Sequence, residues 1–373
     1  MKAVVVAADM ITPYGPGIDA LWQGILSNRS AISRVDRFKT AAFHSDYAAT
    51  IPGLIYHGPE TLAMQMLRPL LDRTRAKIPA DAKLLFATTK GEIDLLEQHL
   101  LKREGDASAS GLDRLLEKVA GLAGVQDKGS IVSAACTSSA AAVARAAALI
   151  RNKRADCVVV VACDSVTEFI FAGFSSLMAL DKEPARPFDR NRAGLSVGEA
   201  AAIAVIMSKE RALREDRQVL GEIRGWGSSD DANHMTGPSR ESEGLILAIN
   251  KALLSAGVGP DAVGLIGAHG TGTVYNDAME MKAFHAVFKN AQLPVYSIKG
   301  GIGHTMGAAG LIETLIAMRA LREKSAPPTM NLIEPEEHAA GWVSTNSRPI
   351  KPNGLALVTN AGFSGVNTAL VLG

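Results

Sequence analysis

Val132-Ser133-Ala134-Ala135-Cys136-Thr137-Ser138-Ser139 sets one cysteine between a short apolar run and a stretch, 137–150, made almost entirely of Ala, Ser, Val and Leu. Residues 130–135 read as a short strand, and since a helix apolar on every side belongs in the middle of a protein, 137–150 reads as a central helix. Cys136 then falls at a helix start, where unpaired N–H groups and the helix dipole favour a thiolate. Taken alone, a free cysteine fits a small buried hydrophobe better than a nucleophile; its position raises the second reading. Cys157 and Cys163 lie inside the run Cys-Val-Val-Val-Val-Ala-Cys, suited to a strand covered on both faces, and keep the structural reading.

The same pattern returns later in the chain. A strand over 295–298 leads through Lys299-Gly300-Gly301-Ile302-Gly303-His304 to a second small-residue helix over 306–321, which begins Met306-Gly307-Ala308-Ala309-Gly310-Leu311. Strand, reactive residue and buried helix, found twice, predict a duplicated α/β unit whose two centres meet at a pseudo-dyad. A third loop, Ala268-His269-Gly270-Thr271-Gly272-Thr273, follows an apolar strand over 263–268. Glycine beside histidine lets backbone and ligand approach closely, though a turn needing positive φ explains the glycines equally well.

The other histidines, His44, His57, His99, His285 and His338, sit in polar or helical contexts, and His234 in an ambiguous loop. Lys299 in apolar surroundings wants a carboxylate, and Glu313 on the following helix is the nearest in sequence; a structural ion pair and a catalytic one are both open. Gly362-Phe363-Ser364-Gly365 reads as a turn or as part of a site. Elsewhere the patterning predicts a strand over 2–8, helices over 62–75 and 92–102 flanking a strand over 83–88, and a mobile loop over 103–111.

The whole chain narrows the class. It has 373 residues, 47% hydrophobic and 21% charged, with a formal net charge of +1. That near-neutral balance argues against a nucleic-acid binder. Three cysteines without paired CxxC ends form neither a disulfide framework nor a zinc site. The apolar run in 1–9 is too short for the core of a signal peptide, and none approaches the roughly 20 residues that span a bilayer. The expectation is a cytoplasmic protein, with no membrane, nucleic acid or metal.

Together these motifs resemble the elongating-type β-ketoacyl-[acyl-carrier-protein] synthases of the thiolase-like superfamily. Ala134–Ser138 is similar to the nucleophile motif, Ala268–Thr273 to the first histidine motif, and Lys299 with Gly303–Gly310 to the lysine and second-histidine motif. Thr12-Pro13-Tyr14-Gly15, Arg186-Pro187-Phe188-Asp189, Gly198-Glu199-Ala200, Pro327–Leu332 and Gly362–Asn367 match in the same order along nearly the whole chain. The resemblance implies an α/β, thiolase-like fold of two pseudo-duplicated halves, 1–215 and 216–373, in five α-β-α-β-α layers. It implies an acyltransferase that condenses malonyl-carrier with an acyl group on Cys136, in fatty-acid, polyene or polyketide-type synthesis. Cys136, His269, Lys299 and His304 would be catalytic, with backbone N–H of Cys136 and Phe363 as the oxyanion hole and Phe363 as gate. Glu313 and Asp277 would support, and Thr271 and Thr273 would bind the pantetheine arm. No cofactor is implied beyond the carrier's own phosphopantetheine; the partners would be acyl carrier protein and an identical or related synthase subunit.

Departures from the family pattern are local. The 54–130 region, where a cap is expected, is short and hard to match. Ala361 replaces a usual phenylalanine, Ser364 a usual glycine, Leu195-Ser196 a bulkier pair, and Met178 falls near a position that is often basic. The Ala361 change predicts a more open pocket, unless Met178 or Leu195 fills it. Arg68, Arg73, Arg75 and Lys77 are the candidate docking cluster, with a solvated helix face as the alternative. Two other readings remain: a chain-length-factor-like subunit of a heterodimer, and a CoA-dependent or initiating enzyme of the superfamily.

Overall fold

The computed structural model describes residues 1–373 apart from Glu104 and Asn290. The first half of the chain contributes strands β1 (Ala3–Thr12), β2 (Lys83–Ala87), β3 (Ser130–Val132), β4 (Cys157–Asp164) and β5 (Ala200–Ser208). The second contributes β6 (Gly221–Asp230), β7 (Val263–Gly267), β8 (Val295–Tyr296), β9 (Leu355–Ala361) and β10 (Val366–Leu372). The first set lies in the order β3-β2-β4-β5-β1 and the second in the order β8-β7-β9-β10-β6. Each set has the same pairing: the strand second from the rim is parallel to both neighbours, and the remaining contacts are antiparallel. The two sets meet where β1 pairs with β6, at Ala3↔Ile223, Val4↔Glu222 and Val5↔Gly221. The expected duplication is therefore a property of the topology.

Helices repeat in the same places. α1 (Leu62–Thr74) and α2 (Leu112–Ala123) cover the outer face of the first sheet, packing Leu67, Leu70 and Val119 against Leu84, Phe86 and Val159. α3 (Ser138–Arg151) lies inside, followed in the second half by α4 (Glu243–Ala256), α5 (Val274–Phe288) and α6 (Ala309–Glu323). α4 and α5 pack on the outer face of the second sheet, and α3 and α6 share the central core. The layers run α-β-α-β-α. On β4, Val158, Val160 and Ala162 face the central core, while Val159, Val161 and Cys163 face the outer one. A continuous apolar run is what such two-sided burial requires.

The small residues of the central helices are a packing requirement. A Cβ at Gly310 would lie 2.6 Å from the backbone nitrogen of Ala140, so α6 can meet α3 at that point only with glycine. Sequence reading missed α2, although Leu115, Val119 and Ala123 are its buried stripe at helical spacing. Within the expected loop at 103–111, Glu104 lies outside the described residues, and Ala107–Ser110 forms a short 3-10 turn capped by Asp106.

Candidate active site

The loop between β3 and α3 turns sharply to present Cys136. Ala135 sits at φ +47°, a left-handed conformation rare for a residue with a Cβ, and the turn is closed by local hydrogen bonds. The N–H of Thr137 donates to Ala134 O at 3.1 Å, that of Ser138 to Ala135 O at 3.2 Å, and that of Ala134 to Ser138 Oγ at 2.9 Å. Cys136 is thereby fixed just ahead of α3, 6% exposed. The helix start was expected to lower its pKa. Burial wins instead and pushes the thiol up to about 11, against the opposing pull of the Phe363 backbone N–H and the Lys299 charge. The resting site therefore holds a thiol. Cys157 and Cys163 are buried in β4, as expected.

His269 follows β7, with its own N–H and that of Gly270 donating to Glu280 at 2.8 and 2.6 Å. Its Nδ1 faces two donors, Lys299 Nζ at 3.3 Å and Asn360 Nδ2 at 3.4 Å. An atom met by two donors acts as an acceptor, so the ring proton is assigned to Nε2. His304 reaches the same tautomer by another route. Its Nδ1 accepts from the Met306 N–H at 3.3 Å, and its Nε2 is buried with no partner among the described residues. The two rings stand edge to face, 5.0 Å between centroids. Burial and the Lys299 charge hold both imidazoles well below their ordinary pKa, so both are neutral at pH 7.

Lys299 is the buried cation behind this pair. It is 2% exposed, donates to His269 O at 2.5 Å, and is ion-paired with Glu313. Asn360 Nδ2 donates to the other Glu313 oxygen at 2.6 Å. Burial pushes the Glu313 carboxyl up, while Lys299 and Asn360 pull it back. The backbone of His304 is pinned by Ser196 O, which accepts its N–H at 2.7 Å, and by Gly198 N–H, which donates to His304 O at 3.0 Å. A Cβ at Gly198 would lie 2.0 Å from Ile302 O, which explains the glycine before Glu199.

Three supporting residues went unread in the sequence. Asn360 and Glu280 hold the His269 loop. Asp164 accepts from Thr88 Oγ at 2.8 Å and from the Gly307 N–H at 2.7 Å, tying the loop after β2 to the loop after His304. The readable signal was a polar residue at the end of an apolar strand, in Thr359-Asn360 and in Cys163-Asp164.

Cys136, His269 and His304 line one cavity of about 430 Å³, together with Thr271, Thr273 and Phe363. The hydroxyls of Thr271 and Thr273 lie 2.9 Å apart, and Asp277 orders their loop by accepting from the N–H groups of Thr271 and Gly272. The Phe363 ring stands 5.8 Å from that of Phe174. Ser364, where glycine is usual, holds φ +73°. Ala361, Leu195 and Met178 all line the cavity, Leu195 buried and Met178 67% exposed. His234 lies at the rim, its Nδ1 accepting from the N–H groups of Thr236 and Gly237. None of Arg68, Arg73, Arg75 and Lys77 lines the cavity; Arg68 is paired with Glu60 and Arg73 with Asp9. Among the described residues no His, Cys, Asp or Glu cluster could hold a metal ion, and no helix is long and apolar enough to cross a membrane.

A duplicated five-layer fold that brings a cysteine from one central-helix loop to two neutral histidines from the other half defines a thiolase-like ketosynthase. The chain belongs to the β-ketoacyl synthase family: the pattern described as "Beta-ketoacyl synthase, N-terminal domain" matches 2–78 and 119–212, and "Beta-ketoacyl synthase, C-terminal domain" matches 220–333. The 79–118 gap in that match falls inside the 54–130 region. The chain is 29% identical to a 3-oxoacyl-[acyl-carrier-protein] synthase 2 of Coxiella burnetii, covering 100% of this chain and 98% of the relative. It is 30% identical to the tetracenomycin polyketide synthase ketoacyl synthase alpha subunit of Streptomyces glaucescens, covering 100% and 96%. Among solved structures, the ishigamide ketosynthase/chain length factor superposes with a TM-score of 0.90 at 27% identity, covering 100% and 98%.

Proposed function

We propose that the protein carries out decarboxylative condensation on Cys136, joining a carrier-bound malonyl unit to a bound acyl group. The observation that carries this is the pair of Nε2–H donors, both neutral, in the wall of the cavity that holds the cysteine. In the first half-reaction the Cys136 sulfur attacks the carrier's thioester, and the departing pantetheine thiolate takes the cysteine's proton. The backbone N–H groups of Cys136 and Phe363 would hold the tetrahedral oxyanion.

In the second half-reaction the malonyl thioester oxygen would accept from His269 and His304. Breaking the carbon–carboxylate bond releases CO₂ and leaves the electron pair on the enolate, where those two donors lower the barrier. The enolate carbon attacks the acyl-cysteine, and the tetrahedral adduct collapses to the β-ketoacyl product and the Cys136 thiolate, which regains a proton. Donors aimed at charge that appears only in the transition state are worth far more than donors that bind the ground state. Lys299, held by Glu313, keeps a donor against His269 Nδ1 and so preserves the tautomer. Asp277 would hold Thr271 and Thr273 where they meet the pantetheine arm, with Phe363 as the gate. No resident metal or redox cofactor enters any step.

The partners are an acyl carrier protein and a second synthase subunit, identical or related. The name of the Coxiella relative supports the first, and the ketosynthase/chain length factor likeness supports the second. A free nucleophile at Cys136 speaks against the chain-length-factor role for this chain itself. Intact-mass measurement after incubation with a panel of acyl-carriers should show one acyl adduct on Cys136, discharged as β-ketoacyl product when malonyl-carrier is added. Acyl transfer from CoA thioesters but not from carriers would favour the CoA-dependent alternative.

A further inference from the structure

The loop after His304 is held from outside at a single point. The backbone of His304 itself is pinned by Ser196 and Gly198. Beyond it, Met306 turns at φ +51°, a left-handed conformation that is costly for a residue carrying a Cβ. With that turn the Met306 N–H comes back onto His304 Nδ1, and the next N–H, of Gly307, points out of the loop to Asp164 Oδ2 at 2.7 Å. Among the described residues, Asp164 is the one group outside 304–308 that accepts from an N–H of 305–308.

Asp164 is made to be such an anchor. It ends β4, 2% exposed, and does not line the cavity. Its Oδ1 accepts from Thr88 Oγ at 2.8 Å and from the N–H groups of Thr89 and Lys90 at 3.0 and 3.3 Å. Its Oδ2 accepts from Thr89 Oγ at 3.0 Å as well as from Gly307. Every partner is a donor, so the site suits an ionised carboxylate, and hydrogen bonds to a charged acceptor are about twice as strong as neutral ones. Burial pushes the carboxyl up, and the donors from Thr88, Thr89 and Gly307 pull it back. A Cβ at Gly307 would lie 2.6 Å from Asp164 Oδ2, so the loop approaches this closely only with glycine. Thr88, Thr89 and Lys90 belong to the 79–118 stretch that the family pattern does not match.

We propose that Asp164 is a positioning residue for decarboxylation: it holds the Met306–Gly307 turn and, through that turn, the Nε2–H tautomer and the aim of His304. The inference rests on the condensation reading above and adds to it a residue outside the cavity. Without the carboxylate the left-handed turn relaxes and the Met306 N–H leaves Nδ1. The ring is then free to rotate and to carry its proton on either nitrogen, so the donor meant for the enolate oxygen is present only part of the time.

The experiment compares CO₂ release from malonyl-carrier with acylation of Cys136, read by intact mass, in the wild type, Asp164→Asn and Thr88→Val. Asp164→Asn should lower kcat for CO₂ release about tenfold, less than the roughly 10²–10³ for losing a donor outright, with KM for malonyl-carrier within about twofold. Acylation should slow by less than about threefold. Thr88→Val removes a donor from the far side of Asp164 and should leave CO₂ release within about threefold. In a His304→Ala background, Asp164→Asn should cost less than about twofold more, since its effect runs through that ring. Nitrogen NMR of the imidazoles should show a bare Nδ1 on His304 in the wild type and mixed tautomers in Asp164→Asn. Should Asp164→Asn not fold, Gly307→Ala, whose Cβ displaces the carboxylate, carries the same measurements. Equal losses in both half-reactions, a loss of the same size in Thr88→Val, or an undiminished loss in the His304→Ala background would make Asp164 a general structural anchor and overturn the proposal. Unchanged CO₂ release in Asp164→Asn would overturn it as well. A wild-type chain that releases no CO₂ from malonyl-carrier would overturn the condensation reading itself.

Discussion

His304→Ala separates the two half-reactions. In the structure His304 Nε2 is buried without a partner, and Nδ1 accepts one long bond from the Met306 N–H at 3.3 Å. Truncation therefore strands a single backbone donor, a cost of about 1–3 kcal/mol that a domain of this size survives. The catalytic cost is larger and confined to one step. Removing one of two donors from a developing oxyanion costs about 2.7–4 kcal/mol, or roughly 10²–10³ in rate. Release of CO₂ from malonyl-carrier should fall by that factor, while the mass gained on Cys136 from an acyl-carrier accumulates at a rate within about threefold of wild type. In the proposed mechanism the oxyanion of acyl transfer is met by backbone N–H groups, not by the imidazole. His269→Ala should follow the same split with a greater loss of stability, because Lys299 and Asn360 both lose their acceptor at Nδ1. Acylation that fell as far as decarboxylation would mean that the ring takes the proton of Cys136, and the division of labour would be wrong.

With the Cys136 thiol raised to about 11, alkylation by iodoacetamide, followed by mass mapping, should accelerate about tenfold per pH unit from 7 to 9; a plateau near neutrality would show a preformed thiolate. His304 is held well below the 6.5 it regains on unfolding, so the unfolded chain takes up a proton that the native chain refuses. The stability gained from its neutral form is full above pH 6.5 and drains as pH falls below it, by up to about 1.4 kcal/mol per unit; subtracting the denaturation curve of His304→Gln isolates this slope, and a flat difference would refute it. Ala361→Phe places a ring beside Phe363 in the cavity wall and should cost conjugated, rigid acyl-carriers about tenfold more than saturated ones; equal loss, or none, would refute the open-gate reading.

What could be read in the sequence was whatever a short window contains. Cys136, His269 and His304 each sit in a loop, and Lys299 opens a short helical turn, whose small residues are needed for close approach, and that need shows in the sequence. The apolar β4 and the small-residue helices α3 and α6 were legible for the same reason: burial on every side leaves an unmistakable composition. Asn360 left only the faint mark of a polar residue closing an apolar strand, and Glu280 none, because the meaning of each comes from a distant partner. Asn360 meets Glu313 across 47 positions of chain. The partner of Arg73 was hidden for the same reason: the fold brings Asp9 back to it from 64 residues away.

The pKa of Cys136 shows a different kind of limit. Helix start and burial push the thiol in opposite directions, and only the first is written in the local sequence. The cavity around Cys136 is lined from both halves of the chain, by Leu195 and by Phe363 among others. The duplicated scaffold could thus be read twice over, since β3-loop-α3 and β8-loop-α6 repeat one design. The divergence between the copies could not. One loop keeps a thiol that a backbone N–H steadies; the other keeps an imidazole whose free N–H has no acceptor until a substrate oxygen arrives. Two copies of one loop could have kept the same chemistry. In the proposed mechanism they differ because condensation stabilises negative charge at two places in succession, first on the acyl group at sulfur and then on the enolate.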